Sequence, residues 1–125
     1  MGLLSNTVYV RVRRNEFRVK NAESGAEKTL AAAVPFTTAR LLIGQFSAAE
    51  KALKAALKEI LTGQLFAPSP NVVIHPLEMV EGGLSEIEER ALRELAIEAG
   101  ASKVVVWVGH ELSDSEVKEK LRARS

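Results

Sequence analysis

With 125 residues, 46% of them hydrophobic, the chain is long enough to bury one core of its own. It has no cysteine, which excludes disulfides, thiolate zinc sites and cysteine nucleophiles together. Its 17 basic and 16 acidic residues leave a net charge of +1, so bulk charge demands neither a nucleic-acid nor a membrane partner. The opening MGLLSNTVYV carries no basic n-region and no apolar run of useful length. Neither a secretory leader nor an anchor is expected, no stretch approaches a membrane span, and a cytoplasmic location follows as the default. The length fits one domain over residues 1–125.

Thr7 to Arg13 alternates, with Val8, Val10 and Val12 on one side and Tyr9, Arg11 and Arg13 on the other. This predicts a strand with one buried face. Arg14-Asn15-Glu16 can turn it, and Glu16 to Asn21 alternates again, Phe17 and Val19 inward, Arg18 and Lys20 outward. Glu23-Ser24-Gly25 is a second turn signal, and Glu27 to Ala33 a weaker strand because alanine packs poorly in sheets. Val34 to Phe46, with Pro35 and Gly44, reads as irregular.

From Ser47 the period becomes helical. Leu53, Ala56, Leu57, Ile60 and Leu61 share a face, Ser47 to Glu50 fits a capping box, and Gly63 can close the helix. Pro68-Ser69-Pro70 leads into Val72-Val73-Ile74, a run short enough for a buried strand. Glu81-Gly82-Gly83 is loop. Ser85 to Glu88 is a second capping box, followed by an apolar stripe of Ile87, Ala91, Leu95 and Ala99 with Leu92 alongside, and Gly100 is a natural C-cap. Lys103 to Val108 is a further buried strand. Ser113 to Glu116 is a third capping box, opening a helix with Val117 and Leu121 inward. The order is β-β-β-α-β-α-β-α. Right-handed crossovers would set the last two strands parallel to the first in a mixed five-stranded α/β sheet with helices on both faces, the order of the ribonuclease H-like fold.

The middle of the chain narrows this. Pro68 to Gly109, PSPNVVIHPLEMVEGGLSEIEERALRELAIEAGASKVVVWVG, resembles the MreB (bacterial actin) segment of the form P-S-P-x-V-V-I, a Pro-containing loop, a helix E-x-E-x-R-A-x-x-E-A-A-x-x-A-G-A and a strand. Glu86, Glu88, Arg90, Ala91, Glu94, Ala96, Ala99, Gly100 and Ala101 occupy those helix positions, and Phe46 to Lys51 is similar to the family's helix opening F-x-x-x-E-K. The resemblance implies an actin-like ATPase half.

The departures from that family bear on activity. Actin-like ATPases carry a first phosphate loop, D-x-G-T, between their first two strands, where Asp organises magnesium and Gly admits the phosphates. The corresponding hairpin here, Val10-Arg11-Val12-Arg13-Arg14-Asn15-Glu16, has neither Gly nor Asp. Asn6-Thr7 echoes a family N-T pair, but Leu3, Leu4 and Ser5 precede it. The second loop, D-x-G-G-G, belongs to the other half of the molecule, and Glu81-Gly82-Gly83 does not replace it. The expectation is therefore a chain with no enzymatic activity and no cofactor, in which no residue is catalytic or metal-binding.

Other chemistry finds little support. His75 and His110 each follow a strand, with Glu78, Glu81 and Glu111 nearby, but their spacing matches no metal-ligand pattern. The first strand lacks the acids of a ribonuclease H-like nuclease, and no Gly-x-Ser-x-Gly elbow is present. What remains is interaction. Arg11, Arg13, Arg14, Arg18 and Lys20 form a basic hairpin that reads first as a solvated face guarding against edge-to-edge aggregation, then as a docking surface for an acidic protein, and last as a grip on nucleic acid. Phe36, Leu41, Leu42, Ile43 and Phe46 form an apolar cluster that either covers one end of the core or offers a patch to a partner. Trp107 fits a core or interface role. MreB uses the matched region in filament contacts, so the resemblance implies a non-catalytic interaction or assembly module linked to cell shape or the cytoskeleton. Its partner would be a protein or a second copy in a homodimer. The alternatives are a nucleic-acid-binding hairpin module and one jaw of a split ATPase.

Overall fold

The computed structural model describes residues 6–61 and 69–124. The Gly63 helix stop and the motif residues Leu3, Leu4, Ser5 and Pro68 lie outside the described residues. The elements run β1 (Thr7–Arg13), β2 (Glu16–Asn21), β3 (Glu27–Ala31), α1 (Phe46–Ile60), β4 (Asn71–Pro76), α2 (Glu86–Glu98), β5 (Lys103–Val106) and α3 (Asp114–Arg124). They form a mixed five-stranded sheet in the order β3-β2-β1-β4-β5. β1 pairs antiparallel with β2 and parallel with β4, β2 pairs antiparallel with β3, and β4 pairs parallel with β5. β2 alone runs against the rest.

The period-2 alternation sorts side chains onto two faces. Val8, Val10, Val12, Phe17, Val19, Val72 and Ile74 face α1 and α2, meeting Leu53, Ala56, Leu57, Leu92, Leu95 and Ala96 in the larger core. Tyr9 and Val73 face α3 and pack with Leu112, Val117 and Leu121. The expectation of one buried face on β1 is corrected: Tyr9 and Arg11 are buried too, at 1% and 8% exposure, because α3 and the loop before it lie over that side. Among the described residues, no helix is long and apolar enough to cross a membrane.

Helix ends follow local chemistry in two cases of three. Ser85 and Glu88 exchange side-chain bonds with each other's backbone N–H, as do Ser113 and Glu116. α2 closes in a Schellman arrangement. Gly100, at φ +119°, lets its N–H reach Ile97 O and that of Ala101 reach Ala96 O. The Ser47 box does not form. α1 starts at Phe46 with Gln45 at its cap, so Ser47 is already inside the helix. The reason lies upstream, where Gly44 and Gln45 both donate to Phe36 O and so set the chain's entry into the helix earlier. β5 stops at Val106, short of the Val108 expected, because Trp107 makes one last bond to Ile74 O and then turns away. Ile87 is 80% exposed instead of inward. The stripe through Leu92, Leu95, Ala96 and Ala99 extends back to position 88, and Ile87 stands about 100° around the helix from there.

The irregular segment between β3 and α1 is ordered by one residue of the β1–β2 turn. Asn15 sits at φ +56°, a left-handed conformation that Asn tolerates better than most residues. Its Oδ1 accepts from the N–H groups of Phe36 and Thr37, both at 2.8 Å, and its own N–H donates to Thr37 Oγ1. Ala32 N–H donates to Asn15 O. Phe36 is thereby delivered into the core, its ring stacked 4.9 Å from that of Phe17. Asn15→Ala should cost about 2–4 kcal/mol in urea unfolding, since it strips two amides of their acceptor and leaves a poor left-handed residue. Asn15→Gly, which keeps the turn, should cost less.

Candidate functional site

The five cations of the basic hairpin do not form one surface. Arg11 is buried, its guanidinium bonded to Glu27 and to Glu111 (3.1 Å) and lying 4.9 Å over the Tyr9 ring. Its expected outward placement is thus corrected, because the chain folds two carboxylates over it. Arg18 reaches the same Glu27 at 2.6 Å, and Lys20 pairs with Asp114 at 3.2 Å. Burial would raise the Glu27 carboxyl, but its bond and charge contact with Arg11, joined by Arg18, outweigh this and hold it below the usual range. Of these five, Arg13 and Arg14 at the hairpin tip are exposed and make no ion pair among the described residues.

The apolar cluster also divides. Phe36 and Leu42 are core residues and cannot meet a partner, while Ile43 and Phe46 are half-buried. Leu41 is 40% exposed and, with Ile43, Met79, Leu84 and Ile87, borders a small cleft at the end of α2. A much larger apolar groove, about 950 Å³, runs between the end of β3 and the first turns of α1, and Phe46 is part of it. The weak alternation of the β3 segment gave no sign of it.

The two histidines sit in different settings, His75 buried in the sheet and His110 exposed on the surface. Gly109 O can only accept, so the 3.0 Å contact from His75 Nε2 assigns the proton to that nitrogen. Nδ1 then accepts from the Tyr9 hydroxyl at 2.7 Å, and the Tyr9 oxygen accepts from Leu112 N–H at 3.1 Å. The chain of bonds ties the loop after β5 to the centre of the sheet. Burial holds His75 below its ordinary value, and Arg11 and His110 push the same way, against the Gly109 carbonyl and Glu111. Burial likewise raises the Tyr9 phenol. His110 instead meets Glu116 at 3.2 Å on the surface. Trp107 braces this loop, its indole N–H donating to His110 O and its ring lying 3.9 Å under the Lys120 ammonium. Among the described residues, no three His, Asp or Glu side chains converge as a metal site requires.

No family model matches the chain. It is 36% identical to the uncharacterized protein YjaA of Escherichia coli K12 over 128 residues, an alignment that covers 95% of this chain and 99% of that protein. The chain belongs to the YjaA family. It is also 36% identical over 63 residues to the cell shape-determining protein MreB of Haemophilus influenzae, which covers half of this chain and 17% of that protein. The agreement with YjaA runs over nearly all of both chains, whereas the MreB likeness is confined to half of this one.

Tyr9→Phe should lose about 1–3 kcal/mol, because it strands both the Leu112 amide and His75 Nδ1. A pH dependence should accompany it. His75 binds a proton more weakly folded than unfolded, so its contribution is complete above about pH 6.5 and is lost as the pH falls below that. Urea midpoints taken from pH 7.5 down to about pH 5 should decline in the native chain and decline less in His75→Gln.

Proposed function

We propose that this chain is an actin-like half-domain that serves as a non-catalytic interaction or assembly module. The order β3-β2-β1-β4-β5 with β2 alone reversed supports reading it as ribonuclease H-like, and the MreB stretch supports the actin-like branch of that fold. A link to cell shape rests on the name of that relative alone.

The observation that carries the reading is the β1–β2 turn. An actin-like ATPase keeps this turn open for phosphates, with backbone amides turned toward the ligand. Here Asn15 fills it, and its amide, carbonyl and side chain are all bonded within the fold, to Thr37, Ala32 and the amides of Phe36 and Thr37. Arg14 N–H is bonded to Glu78 Oε1 at 2.5 Å. Arg13 and Arg14 remain as point charges without a cradle of free amides. The nucleic-acid reading is weakened because Arg11, Arg18 and Lys20 already neutralise carboxylates of the chain. Salt-dependent phosphate binding needs cations that are free to displace counterions.

Magnesium-ATP tests this directly. A ligand of the native state at a hundred times its Kd stabilises by about 2.7 kcal/mol, a shift of several degrees for a domain of this size. Millimolar magnesium-ATP should leave the melting temperature unchanged and release no phosphate. A clear upward shift with turnover would show a nucleotide site and end the non-catalytic reading.

A further inference from the structure

β3 is an edge strand, and its hydrogen-bonding phase can be read from its two ends. Asn21 N–H donates to Ala26 O at 2.8 Å and Ala32 N–H donates to Asn15 O at 2.9 Å, and the register between them pairs Val19 with Lys28 and Phe17 with Leu30. In an antiparallel ladder bonded and non-bonded pairs alternate. Lys28 and Leu30 therefore spend their amides and carbonyls on β2, while Glu27, Thr29 and Ala31 turn theirs to the open edge. The faces differ too. Glu27 lies on the charged face with Arg11 and Arg18, whereas Lys28 reaches Glu59 of α1 and Leu30 packs on the core.

The groove of about 950 Å³ lies along this edge on the α1 side. Leu30, Ala32 and Val34 form one wall, and Phe46, Ala48 and Ala55 stand on the helix opposite. Val34 is 62% exposed. Among the described residues, Lys51 is the only charged one that lines the groove, and it is exposed and makes no ion pair there.

We propose that the β3 edge and this groove receive an extended segment of a partner protein as a sixth strand. Its alternate side chains would be apolar and enter the groove, and one carboxylate would meet Lys51. Three features select that occupant. The outward amides and carbonyls of Glu27, Thr29 and Ala31 demand a main chain as partner, the small side chains on α1 leave depth for alternate apolar residues, and the unpaired ammonium asks for an acid. A second copy fits less well. Antiparallel self-pairing about Thr29 would bring Lys28 of the copy onto the groove face beside Lys51, setting like charges together. The inference rests on the interaction-module reading and supplies its surface and partner class.

The test is selection from a displayed library of random short peptides against the whole chain, followed by amide shift mapping with the best synthetic peptide. Selected sequences should alternate apolar and polar residues and carry an acid, and shifts should concentrate in residues 27–34 and 46–55. Thr29→Pro removes only an outward N–H, which edge strands tolerate, so it should leave the melting temperature near that of the native chain. It should still weaken binding about tenfold, roughly one hydrogen bond's worth. Lys51→Glu should weaken acid-bearing peptides by a similar factor. The proposal is overturned if no peptide is enriched over an Ala55→Trp variant whose groove is filled, if the two substitutions change nothing, or if sedimentation shows the chain dimerising through β3. Peptides that map to Leu41 and Ile87 would also overturn it, yet leave the interaction-module reading standing. Magnesium-ATP turnover would remove that reading without touching the groove.

Discussion

Two short hydrogen bonds to the side chain of Asn15 hold together parts of the chain that are distant in sequence. They anchor Phe36 and Thr37 to the tip of the β1–β2 hairpin. From that anchor Phe36 drops onto Phe17, and its carbonyl takes the amides of Gly44 and Gln45 just before α1 begins. α1 begins directly after this pinned segment, whose last residues line one end of the groove. Gly44 is needed at the same spot, since a Cβ there would stand 2.3 Å from the Thr38 side chain. A turn residue thus does for the segment what regular secondary structure does elsewhere, satisfying buried backbone that has no ladder to join.

The two faces of the sheet are built on different physics. The α1–α2 side is an apolar core and gains from area removed from water. The α3 side mixes Val73, Val117 and Leu121 with Tyr9, His75 and Arg11. Buried polar groups gain little net free energy even when bonded and cost heavily when they are not. Nearly every polar atom there is matched, by Gly109 O, Leu112 N–H, Glu27 or Glu111, although Arg11 Nε has no partner. Such matching specifies the placement of the loop from Trp107 to Leu112 more than it adds stability.

Much of the fold was legible in the residues. The alternation in β1 and β2, the two capping boxes at Ser85 and Ser113 and the Gly100 stop are short-range signals, and short-range chemistry decided them. The misses share a cause. Alternation sorts Arg11 from Val10 but does not say that Glu111, a hundred positions on, will cover it. The Ser47 box was overridden by bonds that Gly44 and Gln45 make to Phe36, and Ile87 by a stripe whose phase is set by packing on the sheet. His75 and Tyr9 were visible as residues and not as a pair, because only the parallel register of β1 and β4 brings them together. The groove was illegible for a further reason: it depends on what is absent beside an edge strand.

The β1–β2 turn either belongs to the fold or stands open for a ligand. Native-state hydrogen exchange at the Phe36 and Thr37 amides reads this at the two bonds concerned. If Asn15 holds them, both amides exchange only through opening about as costly as that of the β1 core, with magnesium-ATP present or absent. Fast exchange that slows when magnesium-ATP is added would mean the segment is free and waits for phosphate, and the account would be wrong.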